Sequence, residues 1–168
     1  SAYNPHASCR INAPAADQVE KRLIRWLCDL AGYPEESGGL FVSGGSMANL
    51  TALTAARDTQ LSFEDRSRAV IYVSDQTHSS VSKGLHILGF RAEQIHILQA
   101  DARFRLEPAA LKQAVIQDLA AGRKPFAVVA SAGTTNTGSV DPLTEIAALC
   151  REYGLWMHVD GAFGASAL

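Results

Sequence analysis

The hydrophobic pattern of this chain alternates between two spacings. Short continuous apolar runs, typical of strands buried on both faces, are separated by longer stretches in which apolar residues recur every three or four positions, as on one face of a helix. The predicted strands are residues 40–42, 69–73, 95–98, 126–130 and 155–159. The predicted helices are residues 19–30, 47–58, 80–88, 108–121 and 143–153.

Local signals mark the ends of the first helix. Asp17 and Glu20 stand in a capping-box relation at its start, and Gly32 with Pro34 predicts its end. Two prolines before residue 15 discourage regular structure there. We therefore expect an irregular segment followed by an amphipathic helix.

The order of the elements predicts the fold class. Five apolar runs separated by helices, without hairpin dipeptides between them, indicate βα units. We expect one α/β domain over residues 1–168, with a largely parallel sheet and helices on both faces. No run approaches 18 consecutive apolar residues, so no membrane-spanning segment is predicted.

The composition of the chain argues against nucleic acid, an anionic membrane and metal ions as partners. The chain has 15 Lys and Arg against 17 Asp and Glu, a net charge of −2, which gives no excess positive field for nucleic acid or an anionic membrane. Its three cysteines are odd in number and form no Cys-x-x-Cys pair, so neither a disulfide framework nor a zinc ribbon is expected. This favours a reducing, cytoplasmic location. His6, His86 and His96 share no ligand spacing with His158 and Asp160, so no metal site is expected.

Small, hydroxyl and ionisable residues follow four of the predicted strands. These segments are residues 43–46, 75–78, 131–135 and 160–162. Ligands of open parallel sheets bind beyond the carboxyl ends of the strands. We therefore expect the four segments to border a single site.

The Ser-Gly-Gly-Ser segment at 43–46 opens a predicted helix. Backbone N–H groups at a helix N-terminus favour an anion such as phosphate. A tight turn that needs glycine for steric reasons alone explains the segment equally well. Since it is neither a Walker loop nor a dinucleotide fingerprint, nucleoside triphosphates and dinucleotides are disfavoured as ligands.

His78 and Asp160 are the ionisable residues on which a site would depend. His78 could stack on a planar ligand, exchange protons with it, or cap a helix. Asp160 ends an apolar strand, where a carboxylate needs a partner. It is either a helix N-cap or the counter-ion of a buried cationic heterocycle. His158 and Asp160 are expected on opposite faces if the strand continues to its end, or splayed apart if it does not.

Four stretches of the chain match one known family in order. They are residues 41–53, 75–80, 132–135 and 158–164. Together they resemble the group II pyridoxal-phosphate-dependent decarboxylases, the family of aromatic-L-amino-acid, histidine and glutamate decarboxylases. The resemblance implies the large cofactor-binding domain of a fold type I pyridoxal-phosphate enzyme, in incomplete form.

This resemblance implies cofactor contacts for residues on three of the segments. Gly45 and Ser46 would hold the phosphate of pyridoxal 5′-phosphate, and His78 would stack on its pyridine ring. Asp160 would pair with the pyridine nitrogen. A carboxylate there keeps the nitrogen protonated, and the protonated ring accepts the electron pair left as CO₂ departs.

The resemblance also implies roles for Thr135 and Ala162. Thr135 would lie near the ring and its substituents, and Ala162 would pack on the ring face opposite His78. The parent protein would be a homodimeric carboxy-lyase acting on a small-molecule amino acid, with aromatic substrates favoured. Two alternatives stay open: another lyase or aminotransferase of the same fold type, and a non-catalytic remnant that serves binding or assembly.

The family's Schiff-base lysine has no counterpart in this sequence. It would lie beyond the position of Asp160, and none of Lys21, Lys83, Lys112 and Lys124 matches it. We therefore expect the chain to lack the N-terminal segment, the lysine region and the C-terminal domain. By itself it is expected to be inactive.

Overall fold

A computed structural model describes residues 13–167 as five helices, four strands and short turns. The helices are α1 (Pro14–Leu30), α2 (Gly45–Gln60), α3 (Ser79–Ile87), α4 (Pro108–Ala120) and α5 (Leu143–Tyr153). The strands are β1 (Ala69–Ser74), β2 (Ile95–Leu98), β3 (Lys124–Ser131) and β4 (Trp156–Asp160). The chain divides into two compact units, with the boundary between residues 43 and 44.

Helix α1 of the first unit begins earlier than predicted. Pro14 occupies its first turn, where the fixed φ and the missing N–H of proline are tolerated. Ala13 is the N-cap, and no side-chain hydrogen bond of the described residues caps this end. The predicted capping box of Asp17 and Glu20 was therefore wrong. Glu20 instead accepts a hydrogen bond from the amide of Phe41 (2.9 Å). The irregular segment predicted before residue 15 falls almost entirely on residues 1–12, outside the described chain.

Residues 40–42 are not a strand, contrary to the prediction. The preceding loop is held by Arg25, whose guanidinium donates to the carbonyl oxygens of Pro34 (3.2 Å) and Glu35 (2.6 Å). A short apolar run becomes a strand only when a neighbouring strand pairs with its backbone. Among the described residues, the sheet contains no strand from this segment.

The second unit is built on a four-stranded parallel sheet in the order β2-β1-β3-β4. Parallel pairing requires crossover connections, which α3, α4 and α5 supply between successive strands. The predicted parallel sheet is confirmed, with four strands rather than five. Within the described residues, no helix combines the length and apolar character that crossing a bilayer requires.

Alternate residues of the central strands face two different cores, because successive side chains of a strand point to opposite faces. Ile71 and Val73 pack in a cluster with residues of α2 and α3, whereas Val70 and Tyr72 pack with residues of α4 and α5. Each fully buried aliphatic side chain contributes about 1.5–3 kcal/mol relative to an exposed one. The predicted covering of both sheet faces by helices is therefore confirmed.

Candidate active site

The carboxyl-terminal sides of β1, β3 and β4 and the start of α2 enclose one cavity in the second unit. Its volume of about 330 Å³ lies at the lower end of the range of roughly 300–1,000 Å³ for small-molecule sites. The lining residues are Gly45, Ser46, Asn49, Gln76, His78, Ser80, Ser131, Gly133, Thr134, Thr135, Asp160, Ala162 and Phe163.

All six residues predicted for the site border this cavity. They are Gly45, Ser46, His78, Thr135, Asp160 and Ala162. A Cβ placed on Gly45 would lie 3.8 Å from the Cβ of Ala162, so the start of α2 is adjacent to the segment after β4. The structure thus brings the predicted residues together, and their individual roles stay predictions.

Helix α2 presents its N-terminus to the cavity. Gly44 precedes the helix with a φ of +147°, a conformation that other residues rarely adopt. Its carbonyl accepts the amides of Met47 and Ala48, so the amides of Gly45 and Ser46 precede the first intrahelical bonds. No side chain of the described residues caps this end. These groups suit an anion such as phosphate.

Asp160 ends β4, and two donors hold its carboxylate. Oδ1 accepts a hydrogen bond from the backbone amide of Ala162 (3.1 Å), and Oδ2 accepts one from Nδ2 of Asn49 (3.0 Å). The contact to Ala162 is a local turn interaction of the kind aspartate often makes two residues ahead. No α-helix begins after Asp160 within the described residues, so the helix-capping alternative does not explain this side chain.

His78 caps a helix and also borders the cavity. It is the N-cap of α3, and its Nδ1 accepts the backbone amide of Ser80 (3.3 Å). The same nitrogen lies 2.8 Å from the hydroxyl oxygen of Ser80. Capping and ligand contact were alternatives for this residue in the sequence, but the geometry allows both because only Nδ1 is used in the cap.

Asn49 and Ser80 also line the cavity, although neither was predicted as a site residue. Nδ2 of Asn49 donates to the hydroxyl oxygen of Ser80 (2.9 Å), and both side chains are buried. Asn49 lies on the buried face of α2 with Leu53 and Ala56. In the sequence, the feature that could have identified Asn49 is a polar amide on the apolar face of a helix. Such a buried polar group requires hydrogen-bond partners.

His158 lies on the same face of β4 as Asp160, and the prediction of opposite faces was wrong. Residues two apart in a strand share a face. Nε2 of His158 lies 2.7 Å from Oδ1 of Asn49. Burial lowers the pKa of His158, although the nearby Asp160 carboxylate acts in the opposite direction. A neutral imidazole therefore adjoins the site.

A buried carboxylate holds the loop that carries Thr135. Asp141 is only 3% exposed and accepts the amides of Leu106 (2.7 Å) and Ser131 (2.6 Å). Desolvation raises the pKa of Asp141, while the two amides act to lower it. The bond to Ser131 holds Asp141, at the far end of this loop, against the end of β3. The bond to Leu106 holds it against the segment before α4.

The residues that line the cavity suit a ligand that is anionic at one end and cationic at the other. The start of α2 favours the anion, Asp160 favours the cation, and His78 provides a flat ring on the cavity wall. No lysine is among the lining residues. The described residues contain no group of three or more His, Cys, Asp or Glu arranged to hold a metal ion.

Comparison with known proteins identifies similar sequences over the whole chain. A profile of the pyridoxal-dependent decarboxylase conserved domain matches residues 5–168. An aromatic-L-amino-acid decarboxylase of Bacillus atrophaeus is 47% identical over 168 residues, covering 100% of this chain and 35% of the relative. An L-2,4-diaminobutyrate decarboxylase of Rhizobium meliloti is 39% identical over 168 residues, covering 100% and 34%. The chain therefore spans about a third of the length of these relatives.

A solved structure shares the fold of this chain. The crystal structure of Oryza sativa TDC with PLP and tryptamine matches with a TM-score of 0.87 and 32% sequence identity. The match covers 94% of this chain and 35% of that chain. It agrees with the α/β large domain of fold type I that the sequence predicts.

Proposed function

The chain belongs to the pyridoxal-dependent decarboxylase family, and from this membership we propose that its full-length protein is a carboxy-lyase that releases the α-carboxylate of an L-amino acid as CO₂. Pyridoxal 5′-phosphate is the cofactor of the family. The observation that carries the proposal is the meeting of the α2 N-terminus, His78 and Asp160 at one cavity. An aromatic substrate is proposed because the relative that is 47% identical is an aromatic-L-amino-acid decarboxylase.

The two ends of the cofactor would be held by opposite electrostatics. The amides at Gly45 and Ser46, with the Ser46 hydroxyl, would bind the phosphate at the positive end of α2. Asp160 would hold a proton on the pyridine nitrogen, because an opposite charge favours the charged form. The bonds from Ala162 and Asn49 support this role, since they restrict the orientation of the carboxylate.

The ring itself would be fixed by the cavity walls. His78 would stack on one face and Ala162 would pack on the other, with Thr135 near the ring substituents. When bound, pyridoxal phosphate supplies a protonated ring that accepts the electron pair left as CO₂ departs. These residues would hold the ring plane constant relative to the bond being broken, which favours reaction by orientation.

Replacement of Asp160 tests the proposal most directly. In the full-length protein, Asp160→Ala is expected to lower kcat for CO₂ release by roughly 100-fold or more, because the ring nitrogen loses its counter-ion. Glu64→Ala changes an exposed acidic residue and should retain wild-type activity. Undiminished CO₂ release in Asp160→Ala would contradict the counter-ion role.

A substrate panel tests the proposed amino-acid class. We expect the highest kcat/KM with an aromatic amino acid among aromatic, acidic and diamino substrates. Preference for 2,4-diaminobutyrate would agree with the relative from Rhizobium meliloti and overturn the aromatic assignment while retaining decarboxylation.

A homodimer and a cytoplasmic location complete the proposal. The dimer is supported by the family resemblance. The location is supported by the three cysteines of the sequence, whose odd number and spacing disfavour a disulfide framework. Light scattering of the purified full-length protein should give twice the mass of one chain. A monomeric mass at working concentration would contradict the dimer.

A further inference from the structure

The side-chain amide of Asn49 joins three residues near the cavity. Nδ2 donates to Asp160 Oδ2 (3.0 Å) and to Ser80 Oγ (2.9 Å), while Oδ1 lies 2.7 Å from His158 Nε2. Asn49 is only 4% exposed. Both N–H groups and the oxygen of the amide therefore have partners inside the protein.

The charge of Asp160 sets the direction of these bonds. A carboxylate has no proton to donate, so Asn49 must present its NH₂ group to Asp160 and its oxygen to His158. His158 must then donate from Nε2. Because burial lowers the pKa of His158, its imidazole is neutral, and this single proton is on Nε2.

The same direction continues to His78 through Ser80. The Ser80 oxygen accepts from Asn49, which leaves its O–H free to donate to Nδ1 of His78. The Ser80 amide also donates to that nitrogen. With Nδ1 of His78 acting as an acceptor, only Nε2 of this ring is left to carry a proton. One buried amide thus connects the two residues proposed to hold the pyridine ring.

We propose that Asn49 is a positioning residue that orients the Asp160 carboxylate toward the cofactor ring nitrogen and couples it to His78 through Ser80. This inference rests on the proposed cofactor site. Packing alone does not require an amide at position 49, because Leu53 and Ala56 occupy the same buried face of α2. The amide is distinguished from them by its three hydrogen bonds.

The test compares two probes that differ at the ring nitrogen. Pyridoxal 5′-phosphate and its 1-deaza analogue, in which a C–H group replaces the ring nitrogen, are titrated into the full-length apoprotein. Asn49→Ala is expected to weaken pyridoxal phosphate binding by roughly tenfold or more, since hydrogen bonds to charged groups are strong. Affinity for the deaza analogue should stay within about twofold, because that ring makes no bond to Asp160.

Two further variants make the comparison specific. Asn136→Ala removes an exposed amide outside the cavity lining and should bind both probes like wild type. Asn49→Asp keeps the shape of asparagine but places a second carboxylate beside Asp160. It should weaken pyridoxal phosphate binding more than Asn49→Ala does. Pyridoxal phosphate binding by Asn49→Asp as tight as that of wild type would overturn the proposal.

The remaining outcomes separate this inference from the proposed function. If Asn49→Ala lowers the affinity for both probes equally, or lowers neither affinity, the positioning role is overturned and the proposed cofactor site is unaffected. If wild type and Asp160→Ala each bind the two probes equally, the counter-ion role of Asp160 fails, and the role of Asn49 fails with it. Thermal unfolding of each apoprotein establishes that the variants compared are folded.

Discussion

His158 is expected to make the folded protein sensitive to acid. Because burial lowers its pKa, the unfolded chain binds this proton more readily than the folded chain does. Stability contributed by the neutral ring is therefore present above the ordinary pKa of 6.5 and is lost as the pH falls below it. Between about pH 7.5 and about pH 5.5, the thermal midpoint should fall less in His158→Gln than in wild type.

Glutamine at position 158 keeps an N–H donor for Asn49 but has no proton to gain in this range. His86→Gln is the matched control, because His86 is exposed, and it should show the pH dependence of wild type. Identical pH dependence in all three proteins would contradict the assignment of a half-buried neutral imidazole at position 158.

Asp141→Asn is expected to destabilise the loop after β3. The carboxylate accepts the amides of Leu106 and Ser131, whereas asparagine has one acceptor oxygen and would turn its NH₂ toward one of these donors. The unpaired buried donors should cost about 1–3 kcal/mol in the free energy of unfolding, measured by urea denaturation. Glu64→Gln, at an exposed position, should change it by less than about 0.5 kcal/mol. Equal stabilities would show that Asp141 does not secure this loop.

At the scale of elements, the segment after β4 approaches the end of β3 too closely for a side chain. A Cβ on Gly164 would overlap the carbonyl oxygen of Ala132. Gly164→Ala should displace the segment that carries Ala162, cost about 1–3 kcal/mol of stability, and weaken pyridoxal phosphate binding. The measurements are urea denaturation and cofactor titration of the purified full-length protein. Gly38→Ala is the control, because a Cβ there has no atom within 4 Å, and similar effects in both variants would contradict this explanation.

The elements that the sequence predicted correctly are those whose signal is local. The runs at 69–73 and 126–130 lie within β1 and β3, because strands buried on both faces are continuously apolar. The predicted end of α5 is also confirmed, with Gly154 in the left-handed conformation that favours glycine after a helix. The strand predicted at 40–42 does not form, because a strand also requires a neighbouring strand, which its own residues do not encode.

The candidate site was predictable as a group of residues but not as a network. Since the sheet is parallel, the segments after its strands had to meet at one edge, and six predicted residues do meet there. Asn49 was missed because its three partners come from other elements. The face of His158 is a local property, because residues two apart in a strand share a face, and the prediction of opposite faces was wrong on this ground.

At the scale of the whole molecule, the polypeptide of residues 1–168 is expected to release no CO₂ from amino acids. Its cavity lining contains no lysine, so the described chain offers no amine there to bind the cofactor aldehyde. The measurement is CO₂ release by the purified polypeptide with pyridoxal phosphate and an aromatic amino acid, beside the full-length protein as a positive control. Turnover that Asp160→Ala abolishes would show that an amine of this chain reaches the cavity.

Local composition and periodicity were enough to establish the α/β class, the parallel sheet and the edge at which chemistry could occur, because these depend on short-range spacing and on general rules of chain connection. The hydrogen-bond network required the folded chain. Asn49 bonds to Ser80 across 31 positions and to Asp160 across 111. Such bonds depend on how α2 is rotated against the sheet, and that rotation results from the packing of all the buried side chains together rather than from any one segment.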